Sequence, residues 1–196
     1  MKSFAALILA GGFSRRMGQL KPLLTIGGET IADRLISTFL TGGAEVYLVV
    51  GHRGDEIKSG IKSRAVTIVN NPDYASGMFS SVQAGVCALK PGYEALFVMP
   101  VDMPLVNPLT IQTLTTQYNS RPGKIIYPVF RGKRGHPPLL PINLATVITG
   151  WKLEGNLKEV LKSYENLAVE VAVPDEGILL DINTPDDYRQ LLKRFG

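Results

Sequence analysis

Short apolar runs alternate with stretches of helical period along most of this chain, and that alternation limits the fold more than any other feature. The strand-like runs are Phe4–Ala10, Glu45–Val50, Val66–Val69, Ala95–Val101, Ile125–Phe130, Ala168–Val173 and Ile178–Leu180. Between them, apolar residues recur three and four positions apart, the helical period. Thr30–Thr41 puts Ile31, Leu35 and Phe39 on one face, and Gly77–Leu89 repeats Met78, Val82, Val86 and Leu89. Pro108–Tyr118, Asn156–Tyr164 and Pro185–Phe195 follow the same rule, with Asn107 and Thr184 as N-caps before a first-turn proline. Strands separated by helices imply right-handed βαβ units. Strands as uniformly apolar as Ala95–Val101 imply helices on both faces of the sheet. The expected fold class is therefore α/β: a Rossmann-like, mostly parallel sheet covered on both faces, in one domain over 1–196. Arg131–Pro141, with Gly132, Gly135 and three prolines, is the least regular stretch and is expected to form a small substructure at one end of the sheet.

The first strand runs into Leu9-Ala10-Gly11-Gly12-Phe13-Ser14-Arg15-Arg16-Met17-Gly18, with Lys21 three places further on. Glycines let backbone N–H groups approach phosphate oxygens, and arginine and lysine supply compensating charge. The loop is not a P-loop, because Gly18 is followed by Gln19 rather than by Lys and Ser/Thr. It is not the dinucleotide fingerprint either, since Gly11, Gly12 and Gly18 do not match G-x-G-x-x-G. Arg15 and Arg16 are neighbours and face apart, so Arg16 is expected to work on phosphate while Arg15 meets solvent.

In open α/β sheets, ligands sit beyond the carboxyl ends of the strands. That rule gathers the Gly11–Lys21 loop, Asp102, the Arg131–Pro137 loop and Asp181-Ile182-Asn183 at one edge. Asp102 stands in Pro100-Val101-Asp102-Met103-Pro104, after a very apolar strand. A carboxylate there needs a partner, and Mg²⁺ with a triphosphate suits it. The second metal ligand is expected from Asp181 or Asn183. Asp186 and Asp187 are explained by the helix that Thr184-Pro185 begins.

Composition excludes several classes. Hydrophobic residues at 45% and charged residues at 19% describe a globular chain. The net charge of +4 suits an anionic ligand. No Lys/Arg run or basic strip interleaved with aromatics points to nucleic acid. No apolar stretch reaches the ~18 residues of a membrane span, and the Phe4–Ala10 run after Lys2 is short for a secretory leader, so a cytoplasmic protein without a membrane partner is expected. Cys87 is the single cysteine, so no intrachain disulfide forms, and it is expected as a small buried hydrophobe. His52 reads as a loop residue, whereas His136 sits among Arg131, Lys133 and Arg134 and is a candidate hydrogen-bond donor to substrate.

With these residues in hand, the chain resembles the molybdenum-cofactor nucleotidyltransferases, most closely the molybdopterin cytidylyltransferase-like group. The resemblance runs from Leu7 to about Leu192. It rests on Leu9–Lys21, Gly77-Met78-Phe79-Ser80-Ser81-Val82, Pro100–Pro104, Arg134-Gly135-His136-Pro137 and Asp181–Asp187. It implies a nucleotide-diphospho-sugar-transferase-like fold. It also implies Mg²⁺-dependent transfer of a nucleoside monophosphate, CTP favoured, to the terminal phosphate of a molybdopterin-type acceptor, with a molybdoenzyme as a possible partner.

The resemblance further implies that Leu9, Ala10, Gly11, Gly12, Gly77, Met78, Ser80 and Ser81 lie along the nucleotide. Arg16 would hold the β/γ-phosphates, Lys21 the α-phosphate and Asp102 the metal. Asn183 matches the second metal position, where aspartate is usual, and Gly135, His136 and Pro137 would face the acceptor. Arg16, Lys21 and Asp102 are the expected catalytic residues.

Gly11 stands where the cytidylyl group more often has alanine, and Phe79 where serine is common. Gly155-Asn156-Leu157-Lys158 replaces a more polar G-D-x-G-type stretch. GTP, another phosphorylated acceptor, and a non-catalytic nucleotide or pterin carrier therefore stand as alternatives.

Overall fold

The computed structural model describes residues 3–14, 16–152 and 155–195; Arg15, read above as solvent-facing, lies outside them. In chain order the strands are β1 (Ser3–Ala10), β2 (Thr25–Ile26), β3 (Glu29–Thr30), β4 (Ala44–Val50), β5 (Thr67–Asn70), β6 (Tyr93–Pro100), β7 (Ile125–Phe130), β8 (Lys133–Arg134), β9 (Leu139–Pro141) and β10 (Ala168–Ala172). The helices are α1 (Ile31–Thr41), α2 (Gly54–Gly60), α3 (Met78–Cys87), α4 (Pro108–Ser120), α5 (Leu144–Gly150), α6 (Leu157–Lys162) and α7 (Pro185–Phe195). None of the described helices is long and apolar enough to cross a membrane.

The main sheet runs β10-β7-β9-β6-β1-β4-β5, with β8 added to β7, while β2 and β3 form a separate small hairpin. The pairs β10–β7, β6–β1, β1–β4 and β4–β5 are parallel. Short β9 is antiparallel to both β6 and β7. Arg131–Pro141 therefore does not form a substructure at one end of the sheet. Its last three residues are a strand inserted in the middle, closing the gap between β6 and β7.

Burial of β1 explains its unbroken apolar run. Phe4, Ala6, Ile8 and Ala10 face the layer that holds α1, α4 and α7. Ala5, Leu7 and Leu9 face the layer that holds α3, α5 and α6. Both faces of the strand are covered from Phe4 on, so no polar position survives between Phe4 and Ala10. Cutting Leu7 to alanine at the centre would cost about 2–5 kcal/mol.

Local chemistry sets the helix starts. Thr30 caps α1, accepting the Asp33 N–H at 3.0 Å, and its hydroxyl donates to Asp33 at 2.7 Å. Asn107 caps α4 by accepting the Leu109 N–H at 2.9 Å. Thr184 and Asp187 cap α7 reciprocally, Thr184 N–H to Asp187 Oδ2 at 2.7 Å and Asp187 N–H to Thr184 Oγ1 at 3.2 Å.

Two further expectations fail for identifiable reasons. Ile178–Leu180 is not a strand: Glu176–Leu179 winds into a 3₁₀ turn begun by Asp175, which accepts the Gly177 N–H. Cys87 is exposed, because it is the last residue of α3, where the helix runs out past Val86.

Candidate active site

The chain passes from β1 to β4 and β5 on one side and then returns to place β6 on the other. The carboxyl ends of β1 and β6 thus form the switch point where such sheets bind ligands. A cavity of about 380 Å³ opens there. Leu9, Ala10, Gly11 and Gly12 line it. A Cβ on Gly11 would stand 2.9 Å from Ser81 Oγ, and that hydroxyl accepts the Asn71 Nδ2 amide at 3.0 Å. Glycine at position 11 lets the first turn of α3 close on the loop.

The loop is held at both ends by one residue. Ser14 accepts the Met17 N–H on its carbonyl at 3.0 Å and the Lys21 N–H on its hydroxyl at 3.3 Å. Lys21 then opens a 3₁₀ turn fixed by Pro22. Its ammonium donates to Asp102 Oδ2 at 3.3 Å and to Asn183 Oδ1 at 3.1 Å. Backbone bonds bring the three residues together. Val101 N–H donates to the Leu9 carbonyl at 3.1 Å, and Ile182 N–H donates to the Asp102 carbonyl at 2.8 Å. Asn183 is oriented in turn, its Nδ2 donating to Asp181 Oδ2 at 2.5 Å. Asp187 accepts the Asn183 N–H at 2.9 Å. That bond, the bonds from Thr184 and the Lys21 charge hold the Asp187 carboxyl below the usual carboxylate range.

Asp102 and Asn183 present hard oxygen donors to one point, and a cationic nitrogen already sits between them. This donor set fits Mg²⁺, which takes one or two carboxylates with phosphate oxygens. Asp181 does not line this cavity. It is exposed, and it orients the Asn183 amide from behind.

Arg16 is exposed at the cavity mouth, and Gly77, Met78 and Ser81 line it. Ser80 does not line it. Its buried hydroxyl bonds within the Asn71–Gly77 turn, near the Asp73 and Gly77 carbonyls. Sequence reasoning missed Tyr74, which lines the cavity beside Phe13 and packs against it at 5.4 Å between ring centroids. Asn71 was missed as well, although the Asn71-Pro72 pair is a turn signal.

A second cavity of about 520 Å³ lies alongside. Leu9, Met78 and Pro100 line both. Gly135 and His136 line the second one; Pro137 does not, and Pro138 takes its place. Gly135 is pressed onto the 3₁₀ turn, where a Cβ would meet the Ile178 carbonyl at 2.4 Å. Arg134 donates to Glu165 and Glu170, each at 2.6 Å, and lies over the Tyr127 ring at 4.6 Å. Its guanidinium is thereby held in place. Burial holds the His136 imidazole below its ordinary pKa, against the opposing pull of the Asp102 and Asp181 charges.

A mostly parallel α/β sheet with a glycine-rich loop, a lysine and two oxygen donors at its switch point has the form of a nucleotide-binding site. The chain belongs to the family described as the MobA-like NTP transferase domain, whose model matches residues 6–168. It is 33% identical over 196 residues to the molybdenum cofactor cytidylyltransferase of Escherichia coli K12, covering 100% of this chain and 98% of that one. It is 28% identical to the nicotine blue oxidoreductase of Paenarthrobacter nicotinovorans, over 95% of each. With a probable molybdenum cofactor guanylyltransferase of Bacillus cytotoxicus it shares 27% identity over 98% of each. A nucleotidyl transferase structure from Methanothermobacter superposes with a TM-score of 0.84 at 21% identity, over 100% of this chain and 98% of that one. The protein is thus a nucleotidyltransferase like the molybdenum cofactor cytidylyl- and guanylyltransferases.

Proposed function

We propose that this enzyme transfers CMP from CTP to the terminal phosphate of a molybdopterin-type acceptor, releasing pyrophosphate, as a cytoplasmic step of cofactor synthesis. The observation that carries the reading is the meeting of Lys21, Asp102 and Asn183 in the first cavity, which shares Leu9, Met78 and Pro100 with the second. One cavity suits the triphosphate and the other the acceptor.

In the proposed reaction the acceptor phosphate attacks the α-phosphorus of CTP. A P–O bond forms to the acceptor oxygen, and the α–β bridging bond breaks with its electron pair leaving on pyrophosphate. A phosphate monoester is largely dianionic near pH 7, with a second pKa of about 6, so no general base is needed. Lys21 exchanges its present partners for the α-phosphate, and Arg16 reaches the β- and γ-phosphates from the cavity mouth. Asp102 and Asn183 would hold Mg²⁺, which supplies charge neutralisation on the phosphates. Gly135 and His136 border the acceptor. Neutral His136 can accept or donate one hydrogen bond without adding charge.

CTP is favoured over GTP by the 33% full-length identity to a cytidylyltransferase. Gly11, which on sequence alone leaned toward GTP, has a local explanation in the close approach of Ser81. The test is mass spectrometry of products after incubation with molybdopterin, Mg²⁺ and each of four nucleoside triphosphates. A cytidylylated pterin with CTP alone supports the reading. A guanylylated pterin moves it to GTP, and no adduct with any triphosphate rejects transfer to molybdopterin.

A further inference from the structure

The second cavity holds two lysines to which the proposed phosphate chemistry gives no part. Lys158 and Lys162 lie one turn apart on α6, and both line it. Neither forms an ion pair among the described residues. The other charged side chains on the cavity are Arg134 and Glu165, which neutralise each other at 2.6 Å. The remaining surface is mostly apolar: Phe79, Val82 and Val98 are nearly fully buried, and Leu161 lies on the α6 side. Unpaired ammonium groups beside apolar walls recognise a ligand that is hydrophobic in body and anionic at one margin. A polyol phosphate would leave those walls unmatched.

Position matters as much as charge. The reacting phosphate must lie near Lys21 and Asp102, in the first cavity. Lys158 and Lys162 line only the second. They therefore meet a different part of the acceptor.

We infer that Lys158 and Lys162 form an anion site for a second acidic group on the acceptor, whose apolar body lies against the walls that Phe79, Val82 and Leu161 help to build. The inference rests on the transferase reading for the identity of the acceptor. It assigns α6 a role in acceptor specificity.

The experiment uses the full chain and two fluorescent probes, pterin-6-carboxylate and uncharged parent pterin, titrated by fluorescence quenching without nucleotide. Wild-type protein binds both, the carboxylate more tightly. Lys158→Ala/Lys162→Ala binds the carboxylate roughly 10- to 100-fold more weakly, the loss expected for charge-assisted bonds, with parent pterin and CTP affinity unchanged. Lys158→Arg/Lys162→Arg restores the carboxylate preference. Equal loss for both probes, no loss for either, or no binding to wild type overturns the inference. Pyrophosphate release from molybdopterin and CTP is measured on the same samples. Turnover by wild type without lysine-dependent probe binding sinks the anion site alone, whereas lysine-dependent binding without turnover sinks the transferase reading alone.

Discussion

Lys21 Nζ lies 3.3 Å from Asp102 Oδ2, although the two residues are 81 positions apart in the chain. The lysine charge stands where the carboxylate would otherwise face another cation. Two cations cannot both sit at short range on that carboxylate and the Asn183 oxygen, so in the proposed reaction Lys21 and a divalent ion would compete until a triphosphate draws the lysine away.

Removing the lysine separates its two effects. Lys21→Ala should lower turnover by about 10²–10³-fold, the usual loss for a positioned transition-state donor. The same variant should bind Mn²⁺ more tightly than wild type without nucleotide, as read by electron paramagnetic resonance. Weaker Mn²⁺ binding would show that Lys21 supports the cation seat rather than occupying it.

Asp181 accepts from the Asn183 amide at 2.5 Å, so the asparagine is held by a carboxylate. Asn183→Asp would set two carboxylates against each other. In chelator its melting temperature should fall by about 2–4 °C, corresponding to about 1 kcal/mol in a chain this size. Millimolar Mg²⁺ should recover it, and an unchanged melting point in chelator would contradict the arrangement.

Asp33 ties α1 to the segment after α2, accepting the Ser63 N–H at 2.9 Å and the Lys62 N–H at 3.0 Å. Burial pushes its carboxyl up, but the bonds from Ser63, Thr30 and Lys62 and the Lys62 charge outweigh it, leaving the pKa below the ordinary 3.8. A depressed carboxylate pKa stabilises the fold above the unfolded value and loses that effect as pH falls through the folded one. Asp33→Ala should cost about 2–3 kcal/mol at neutral pH. In urea titrations the gap to wild type should narrow only below pH 3.8.

His136 has the opposite linkage. Burial lowers its pKa from 6.5, so the unfolded chain takes a proton before the folded one. Stability from this group is complete above 6.5 and declines as pH falls below it. The imidazole signal in NMR should titrate below 6.5, and a midpoint above that value would mean that Asp102 and Asp181 outweigh burial.

Much of this was legible in the chain because the causes are local. The β1 run is apolar on both faces, which only a covered parallel strand requires, and Pro185–Phe195 carries its cap and period in one stretch. The misreadings arise where local pattern is thin. Three apolar residues at Ile178–Leu180 cannot distinguish a strand from a 3₁₀ turn, and the Asp175 side chain decides it. Helix α2 buries only Ile57, so it has no period to read. The three-residue strand β9 follows two prolines and exists because β6 and β7 leave a gap between them. In the site, the loop, Asp102 and Asn183 were each visible as types. Their meeting on Lys21 spans up to 162 positions and depends on the sheet bringing them together.

The most direct measurement is pyrophosphate release by wild type and Asp102→Ala with molybdopterin, CTP and Mg²⁺, supported by circular dichroism of both proteins. The account predicts release by wild type and a loss of at least about 10²–10³-fold in the variant with the fold intact. Equal release by a folded Asp102→Ala protein would contradict the assignment of the Lys21–Asp102–Asn183 cluster as the transfer centre.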